Sequence, residues 1–418
     1  MRQHLLFLLL AVAILQSCTK DLGTVDVTYT KATAIYGDLD EVRNTPLLDV
    51  PKEIDNPGKI FVSNDFLLIG EEEKGIHVID NSDPNNPTPV HFVNIPGNRE
   101  FYVDGNTLYA ESYYDLVKID LSNVQQPALV SRLENAFGEE LINAQGEVLI
   151  GFNFEQVTES MKPSNPVRQQ PWGQQDIYYY DYAQTLIPPS AVPASFAGSS
   201  GGAIGSVNRI ATVDEYVYVV SRSKLNTFKD DGQLALIASD NVHWSMETIF
   251  PEGDRLFIGT RNSMEVFSIV NREQPRQVSS FFHANSCDPV YPDGDVAYVT
   301  LRTGDFADCP GDVNALLVLD IDDVSFPTQI QEIVMDSPYG MSLLADKLYV
   351  GEGANGLKIF DATDRRNLKL EKSDANVEAY DIIRHPNRTD LILIAGTNGL
   401  QQYKIEDGDM SLMSQLFY

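Results

Sequence analysis

Four carboxylates occupy equivalent positions in a repeated pattern of short apolar strands. In each repeat unit, the second strand is centred on an aromatic or aliphatic residue, and we counted back ten positions from that residue. In the last unit the count allows for two extra turn residues. The eight positions, which we call the channel ring, are Gly58, Arg99, Glu140, Asn208, Glu247, Asp288, Tyr339 and Asp381.

The acidic members of the channel ring suit three kinds of chemistry. If the units surround one axis, these carboxylates lie close together, and like charges raise one another's pKa unless a cation neutralises them. Ca²⁺ with oxygen ligands is one neutralising cation, and Arg99 and Arg209 together with water are the alternative. Two of the carboxylates would instead serve as the acid and base of a glycosidase if their separation is about 5–10 Å.

Cys287 and Cys309 form a second group with chemical potential. Cys287 begins the first strand of its unit, and Cys309 lies in the loop after the second strand, so we expect both on one face of one unit. An even pair of cysteines in an exported chain favours a disulfide. A metal site formed with His283 and Asp308 is the alternative, although the Cys-x-x-Cys spacing typical of such sites is absent.

Cys18 follows a stretch that is typical of an export signal. The 11 apolar residues from Leu5 to Leu15 suit a signal-peptide core and are too few to span a bilayer. The sequence Leu15-Gln16-Ser17-Cys18 resembles a bacterial lipobox, which implies removal of residues 1–17 and a lipid on Cys18. An ordinary secretory signal with an incidental cysteine is the alternative.

These features divide the chain into three parts. We expect a lipoprotein signal peptide at 1–17, an anchor tether and N-terminal segment at 18–44, and one domain at 45–418. Lys20-Asp21 resembles the short charged export tag of some surface-displayed lipoproteins. The expected location is therefore the bacterial outer membrane or the cell surface, with the lipid as the contact to the membrane.

The overall charge limits the partners. The formal net charge is −30, with a pI near 4.4. Such a surface repels nucleic acid and anionic membranes, so neither is an expected ligand.

The repeated strands predict the fold. Similar stretches begin at Gly75, Leu116, Leu316 and Leu357, and the spacing from Asp80 to Asp120 is 40 residues. A period of about 40 residues built from short strands indicates propeller blades. We predict an all-β propeller of four-stranded blades. Eight first hairpins favour eight blades, with seven as the alternative.

One segment interrupts the repeats. Residues 155–206 contain several prolines, Trp172, an aromatic run from Tyr178 to Tyr182, and a glycine- and serine-rich stretch. A segment of this length is typical of a functional insertion or of a disordered surface excursion. It follows a second strand, so we expect it on the face where the first strands begin.

The strand pattern is similar to a known family. The sequence Ile/Leu-x-Val/Ile-x-Asp followed by Ser-Asp/Asn and Pro resembles the LVIVD repeat of bacterial surface and exported proteins, most clearly at Gly75–Pro87 and Leu316–Pro327. The resemblance implies a β-propeller and a lipoprotein. It implies no established activity and therefore no catalytic residues.

Two function classes follow. The first is a non-catalytic binding or scaffold lipoprotein that holds a protein or glycan through the channel ring and the insertion. The second is a polysaccharide-active enzyme that uses two of the ring carboxylates. Nucleophile-elbow, P-loop, Rossmann and zincin signatures are absent from the sequence, which favours the first class.

The lipobox interpretation can be tested at Cys18. The Cys18→Ala variant should lack the lipid and appear in the soluble periplasmic fraction, because no second apolar segment can replace the anchor. Fractionation and mass spectrometry of the N-terminus measure both effects. A variant that is still acylated and membrane-bound would contradict the interpretation.

Overall fold

The computed structural model describes residues 25–63, 65–137, 143, 145, 147–161, 177–178, 208–221, 224–242, 246–260, 262–284, 289–303, 313–406 and 408–418. The chain divides into two units. Residues 1–35 and 151–191 form one, and residues 36–150 and 192–418 form the other.

The smaller unit is built around a three-stranded sheet. Its strands are β1 (Val25–Gly37), β11 (Val148–Met161) and β12 (Ile177–Tyr178), in the order β11-β1-β12. Strand β12 runs parallel to β1, with Thr30 opposite Ile177. Of the predicted insertion at 155–206, only residues 155–161 and 177–178 belong to the described part of the chain.

The larger unit is a propeller of seven antiparallel four-stranded blades, each contiguous in sequence. Blade 1 contains β3 (Pro57–Ser63), β4 (Phe66–Glu71), β5 (Gly75–Asp80) and β6 (Thr88–Asn94), and the short strand β2 (Leu48–Asp49) pairs with the outer edge of β6. Blade 2 contains β7 (Phe101–Asp104), β8 (Thr107–Ser112), β9 (Asp115–Asp120) and β10 (Ala128–Leu133). Blade 3 contains β13 (Ile210–Val213), β14 (Tyr216–Ser221), β15 (Lys224–Asp230) and β16 (Leu234–Asn241).

The remaining four blades follow the same order. Blade 4 contains β17 (Met246–Glu252), β18 (Arg255–Thr260), β19 (Ser263–Ser268) and β20 (Arg276–Phe282). Blade 5 contains β21 (Val290–Asp293), β22 (Val296–Leu301), β23 (Ala315–Asp320) and β24 (Thr328–Val334). Blade 6 contains β25 (Met341–Leu344), β26 (Lys347–Gly351), β27 (Leu357–Asp361) and β28 (Lys369–Asp374). Blade 7 contains β29 (Asp381–Arg384), β30 (Leu391–Gly396), β31 (Gly399–Glu406) and β32 (Asp409–Leu416).

The prediction of eight blades was wrong, and seven is the correct number. The hairpin counted as the third unit, at 148–151, is the beginning of β11, which pairs with β1 from near the N-terminus. An apolar strand has the same sequence pattern whichever strand it pairs with. Counting strands therefore added a blade that the pairing excludes.

The aspartates of the repeat have a structural role. Asp80, at the end of β5, accepts a hydrogen bond from the backbone N–H of Ser82 at 2.9 Å, and Asp83 accepts one from Asn85 at 3.0 Å. The same two bonds recur in blades 2, 5 and 6, where the first acceptors are Asp120, Asp320 and Asp361, although in blade 2 the second acceptor is the amide oxygen of Asn123. Carboxylates in this arrangement fix the turn between the third and fourth strands. Seven of the 60 acidic residues therefore serve these turns.

Seven apolar clusters hold the blades together, one at each blade interface. Tyrosines of the second strands add polar contacts between blades. The hydroxyl of Tyr218 donates to the carbonyl oxygen of Arg272 at 2.9 Å, and that of Tyr298 donates to the carbonyl oxygen of Arg365 at 3.1 Å. The interfaces between blades 3 and 4 and between blades 5 and 6 therefore combine an apolar face with a hydrogen bond from a buried tyrosine.

The interface between blade 7 and blade 1 closes the propeller, and we call it the seam. Its core includes Ile69, Ile79 and Leu393. The buried side chains of Asn81 and Gln402 exchange two hydrogen bonds of 2.9 and 2.7 Å across it. Because every blade is contiguous in sequence and no described strand of blade 7 pairs with one of blade 1, these side chains help to join the first and last blades.

The segment before blade 1 is attached to blade 2. It contains the helix α1 (Leu39–Arg43), whose N-terminus is capped by Asp38. Arg43 makes two 2.9 Å hydrogen bonds to the fully buried carboxylate of Asp115, which also pairs with Arg132. These hydrogen bonds and charges outweigh the effect of burial and lower the pKa of Asp115.

The hydrogen bonds across the seam predict that removal of one amide side chain lowers the free energy of unfolding strongly. Gln402→Ala should reduce the free energy of unfolding by about 2–3 kcal/mol, because it leaves the buried Asn81 amide unpaired. The double variant Asn81→Ala/Gln402→Ala should cost clearly less than the sum of the two single variants. Denaturant unfolding measures each value.

Gln329→Ala is the matched control, because Gln329 is exposed on an outer strand. We expect a change of at most about 0.5 kcal/mol for it. Equal costs for Gln402→Ala and Gln329→Ala would contradict the structural role of the seam pair.

Candidate functional site

The first strand of each blade is the innermost one, and its beginning places the predicted channel ring. Gly58, Glu247 and Asp381 lie in the first two residues of β3, β17 and β29, while Arg99, Asn208 and Tyr339 lie two residues before β7, β13 and β25. Neighbouring inner strands contact one another around much of the propeller. These six of the eight predicted positions therefore occupy equivalent places in the fold, whereas the count for Glu140 starts from Ile150, which lies in β11 and in no blade.

Charged residues from four blades meet at this end of the inner strands. We call them the channel cluster: Lys59, Glu72, Glu73, Arg99, Glu100, Glu111, Arg209 and Asp381. It combines the cations of blades 1, 2 and 3 with carboxylates of blades 1, 2 and 7. Three cations face five carboxylates, so the cluster is acidic but largely paired.

A buried ion pair lies at the centre of the channel cluster. Lys59 is 1% exposed and its ammonium pairs with Glu100, which is 4% exposed. Burial lowers the pKa of Lys59, and the charges of Glu100 and Asp381 oppose this effect. A lysine side chain that is almost completely excluded from water keeps its positive charge only when carboxylates such as these lie beside it. Removing Glu100 or Asp381 would therefore disturb the centre of the propeller.

Glu72 and Glu111 are the most perturbed carboxyls of the cluster. Burial raises the pKa of Glu72 to about 7, against the opposing charge of Arg99. Burial also raises the pKa of Glu111 to about 7, against Arg99 and Arg209. Gly58 leaves room for this arrangement, because an added Cβ would lie 3.1 Å from a carboxylate oxygen of Glu72. Strongly perturbed carboxyls beside specific charged partners mark a functional-site candidate.

A second group of side chains lies on the same end of blades 5 to 7, and we call it the tyrosine platform. The rings of Tyr339 and Tyr380 meet edge to face with centroids 4.9 Å apart, and the guanidinium of Arg302 lies 4.2 Å from the Tyr339 centroid. Gly353 supports both rings, because a Cβ there would lie 2.8 and 2.9 Å from them. The platform is therefore held in one arrangement before any ligand arrives.

Several predicted residues lie outside the described residues: Cys18, Glu140, Cys287, Asp288 and Cys309. The lipid on Cys18, the disulfide between Cys287 and Cys309, and the metal alternative with His283 and Asp308 therefore stay predictions. Within the part of the chain that the structure describes, no three His, Cys, Asp or Glu side chains are grouped as metal ligands. A calcium site that includes Glu140 or Asp288 also stays a prediction.

The sequence analysis missed five of the eight residues of the channel cluster, namely Lys59, Glu72, Glu73, Glu100 and Glu111. Glu72 directly follows the second strand of blade 1, and Glu111 is the last residue but one of the second strand of blade 2, opposite the start of the first strand. In blade 2 the backbone N–H of Glu111 donates to the carbonyl oxygen of Glu100 at 2.9 Å. Extending each ring position to its partner across the hairpin would have found Glu111.

Comparison with known families gives a match in blade 1. Residues 57–94 match the LVIVD repeat. This interval begins with β3 and ends with β6, so one LVIVD repeat corresponds to one four-stranded blade. The predicted resemblance is confirmed there, together with the propeller arrangement. No match to the chain was found among curated proteins.

Solved structures support the fold. A protein from Lactobacillus plantarum aligns with a TM-score of 0.53 and 13% identity, covering 82% of this chain and 92% of that one. A functionally unknown protein from Desulfotomaculum acetoxidans aligns at 0.52 and 12%, covering 84% and 96%. Saccharomyces cerevisiae Sqt1 aligns at 0.51 and 11%, covering 88% of each chain. At these identities the similarity establishes the fold alone.

One observation concerns whether a helix of this chain could cross a membrane. Within the described residues, α1 is too short to cross a bilayer, and no other helix there is long and apolar enough.

The raised pKa of Glu111 predicts a pH-dependent stability. A carboxyl with a pKa raised from 4.5 to about 7 binds its proton more tightly when folded, so stability falls as the pH rises from 4.5 to 7. Glu111→Gln removes this loss. The variant should unfold with a free energy about 1–2 kcal/mol higher than the native protein at pH 8, and with an equal one near pH 4.5.

Denaturant unfolding at several pH values tests this expectation, with Glu332→Gln on the outer strand β24 as the exposed control. The control should follow the native profile at every pH. Parallel profiles for Glu111→Gln and the native protein would show that Glu111 is not desolvated in the channel.

Proposed function

We propose that this protein is a non-catalytic binding propeller whose ligand contacts the channel cluster and the tyrosine platform. The observation that carries the proposal is the channel cluster itself. Its carboxyls Glu72 and Glu111 are desolvated beside Arg99 and Arg209, an arrangement that costs stability at neutral pH. A propeller with LVIVD repeats also fits a binding or scaffold role.

Charged side chains of the channel cluster form ion pairs with one another, which favours a role in binding over a role in catalysis. The Lys59 ammonium is paired with Glu100, and Arg99 is paired with Glu73. A ligand that reaches this surface finds fixed charges that select its orientation. Charge complementarity of this kind gives specificity and increases the association rate.

The tyrosine platform extends the contact surface. Aromatic side chains such as Tyr339 and Tyr380 supply large, rigid contact areas with little loss of conformational entropy. Together with Arg302 they suit contact with a protein or a glycan.

The proposed location is the outer surface of a bacterial envelope. The lipobox at Leu15–Cys18 supports a lipid anchor, and the LVIVD repeat is typical of exported surface proteins. A lipid on Cys18 would hold the propeller near the outer membrane. The strongly negative charge would keep the rest of the surface away from anionic headgroups.

A polysaccharide-active enzyme is the second candidate. One observation favours it: a carboxyl with a pKa of about 7, such as Glu111, suits a general acid at neutral pH. In this case single amide substitutions of Glu72 or Glu111 would abolish turnover of a glycan while its binding persists.

Binding at the channel cluster is tested with an arginine that is not in the core. Full-length protein, its Arg99→Ala variant and the control Arg276→Ala are each incubated with solubilised envelope proteins and with envelope glycans. Arg276 is exposed on the outer strand β20, far along the blade from the inner strands. We expect Arg99→Ala to weaken capture of the ligand at least about tenfold, and Arg276→Ala to leave it unchanged.

Equal capture by both variants would contradict a ligand at the channel cluster. Loss of capture with Tyr380→Ala, at an unchanged melting temperature, would extend the surface to the platform. Glycan cleavage by the native protein would favour the second candidate.

A further inference from the structure

A cavity of about 410 Å³ lies at the seam. The segment Pro51–Ile54 forms one side, β5 of blade 1 the second, and the end of β32 with Phe417 and Tyr418 the third. Sites for small molecules in proteins have volumes of about 300–1,000 Å³, are mostly apolar and carry a few polar groups. The seam cavity satisfies the requirement for volume.

The walls of the seam cavity are mainly apolar. Ile79 is buried, while Ile54 and Leu416 are partly buried and pack against the seam core. Phe417 is 72% exposed beside them. An apolar or aromatic group of a ligand would remove this surface from water, at about 25 cal/mol per Å². The cavity therefore suits the body of a small apolar molecule.

The polar groups at the cavity leave one charge without a partner. The Lys52 ammonium is 3.1 Å from a carboxylate oxygen of Asp49 and 3.0 Å from the side-chain oxygen of Asn94, so Asp49 offsets part of its charge, although Lys52 still lowers the pKa of His77. Glu53 is exposed, and no cation of the described residues pairs with it. The cavity therefore presents an available negative charge beside an apolar wall.

His77 adds a neutral group. Its Nε2 lies 3.0 Å from a carboxylate oxygen of Glu71, which accepts but cannot donate, so Nε2 carries the hydrogen. Burial lowers the pKa of His77, although Glu71 opposes this effect. A neutral imidazole does not repel a cation in the cavity.

We infer that the seam cavity binds a small amphipathic cation, with an apolar or aromatic body against Ile54, Ile79 and Phe417 and an ammonium group paired with Glu53. The net charge of −30 raises the local concentration of cations around the protein. The residues that line the cavity are not those of the channel cluster, and the inference does not depend on the proposed function.

Three ligands with one phenyl body test the inference. Calorimetric titration of full-length protein at pH 7 with 2-phenylethylamine, 2-phenylethanol and phenylacetate compares a cation, a neutral molecule and an anion. We expect the amine to bind at least about tenfold more tightly than the alcohol, and the anion to bind most weakly.

Two variants locate the site. Glu53→Gln should remove the advantage of the amine and leave the alcohol unchanged, whereas Glu215→Gln, an exposed glutamate of blade 3, should change neither. Phe417→Ala should weaken all three ligands about fivefold, because it removes apolar contact only. Both positions are exposed, so the variants should keep the native melting temperature.

The inference is overturned by any of three results. A failure of the amine to bind at millimolar concentration would exclude it as a ligand of the cavity. Equal affinity for the amine, the alcohol and the anion would remove the role of charge. An unchanged amine affinity in Glu53→Gln would place the binding elsewhere.

Discussion

The structure depends on closing the propeller between its first and last blades. A four-stranded blade exposes apolar side chains on both faces, so it is stable only between two neighbours. Blade 7 is contiguous with blade 6 and blade 1 with blade 2, which leaves the seam to be closed by side chains. The seam core and the Asn81–Gln402 amide pair supply this closure, and each amide satisfies the buried polar groups of the other.

In the closed propeller, charged residues occur in two different environments: the surface turns and the inner strands. The turns between third and fourth strands hold carboxylates such as Asp80 and Asp320 in hydrogen bonds to backbone N–H groups, where solvent reaches them. At the inner strands, Lys59, Glu72 and Glu111 are confined together, and burial shifts their pKa values. Acidic residues therefore stabilise turns on the surface, whereas at the centre of the propeller burial raises the pKa values of Glu72 and Glu111.

This contrast separates structural acids from candidate functional ones. The acids that recur in the sequence are those of the turns, and their repetition reflects a local hydrogen bond that each blade needs. Apart from Asp381, the acids of the channel cluster lie at positions that do not recur from blade to blade, because blades 1, 2 and 7 contribute different residues to one shared place. The seam cavity is also unrepeated, since only one interface joins the first blade to the last.

The sequence by itself determined the blade: its period, its four strands, its turn chemistry and the start of its inner strand follow from local patterns that each repeat carries in full. It also predicted six of the eight ring positions at the starts of inner strands, because equivalent residues of equivalent blades occupy equivalent places, whereas Glu140 is counted from a hairpin that belongs to no blade. Only the tertiary structure decided the number of blades, since β11 carries the pattern of a blade strand but pairs with β1. It also decided which charges meet, because Glu72, Arg209 and Asp381 are far apart in the chain and become neighbours only when the propeller closes.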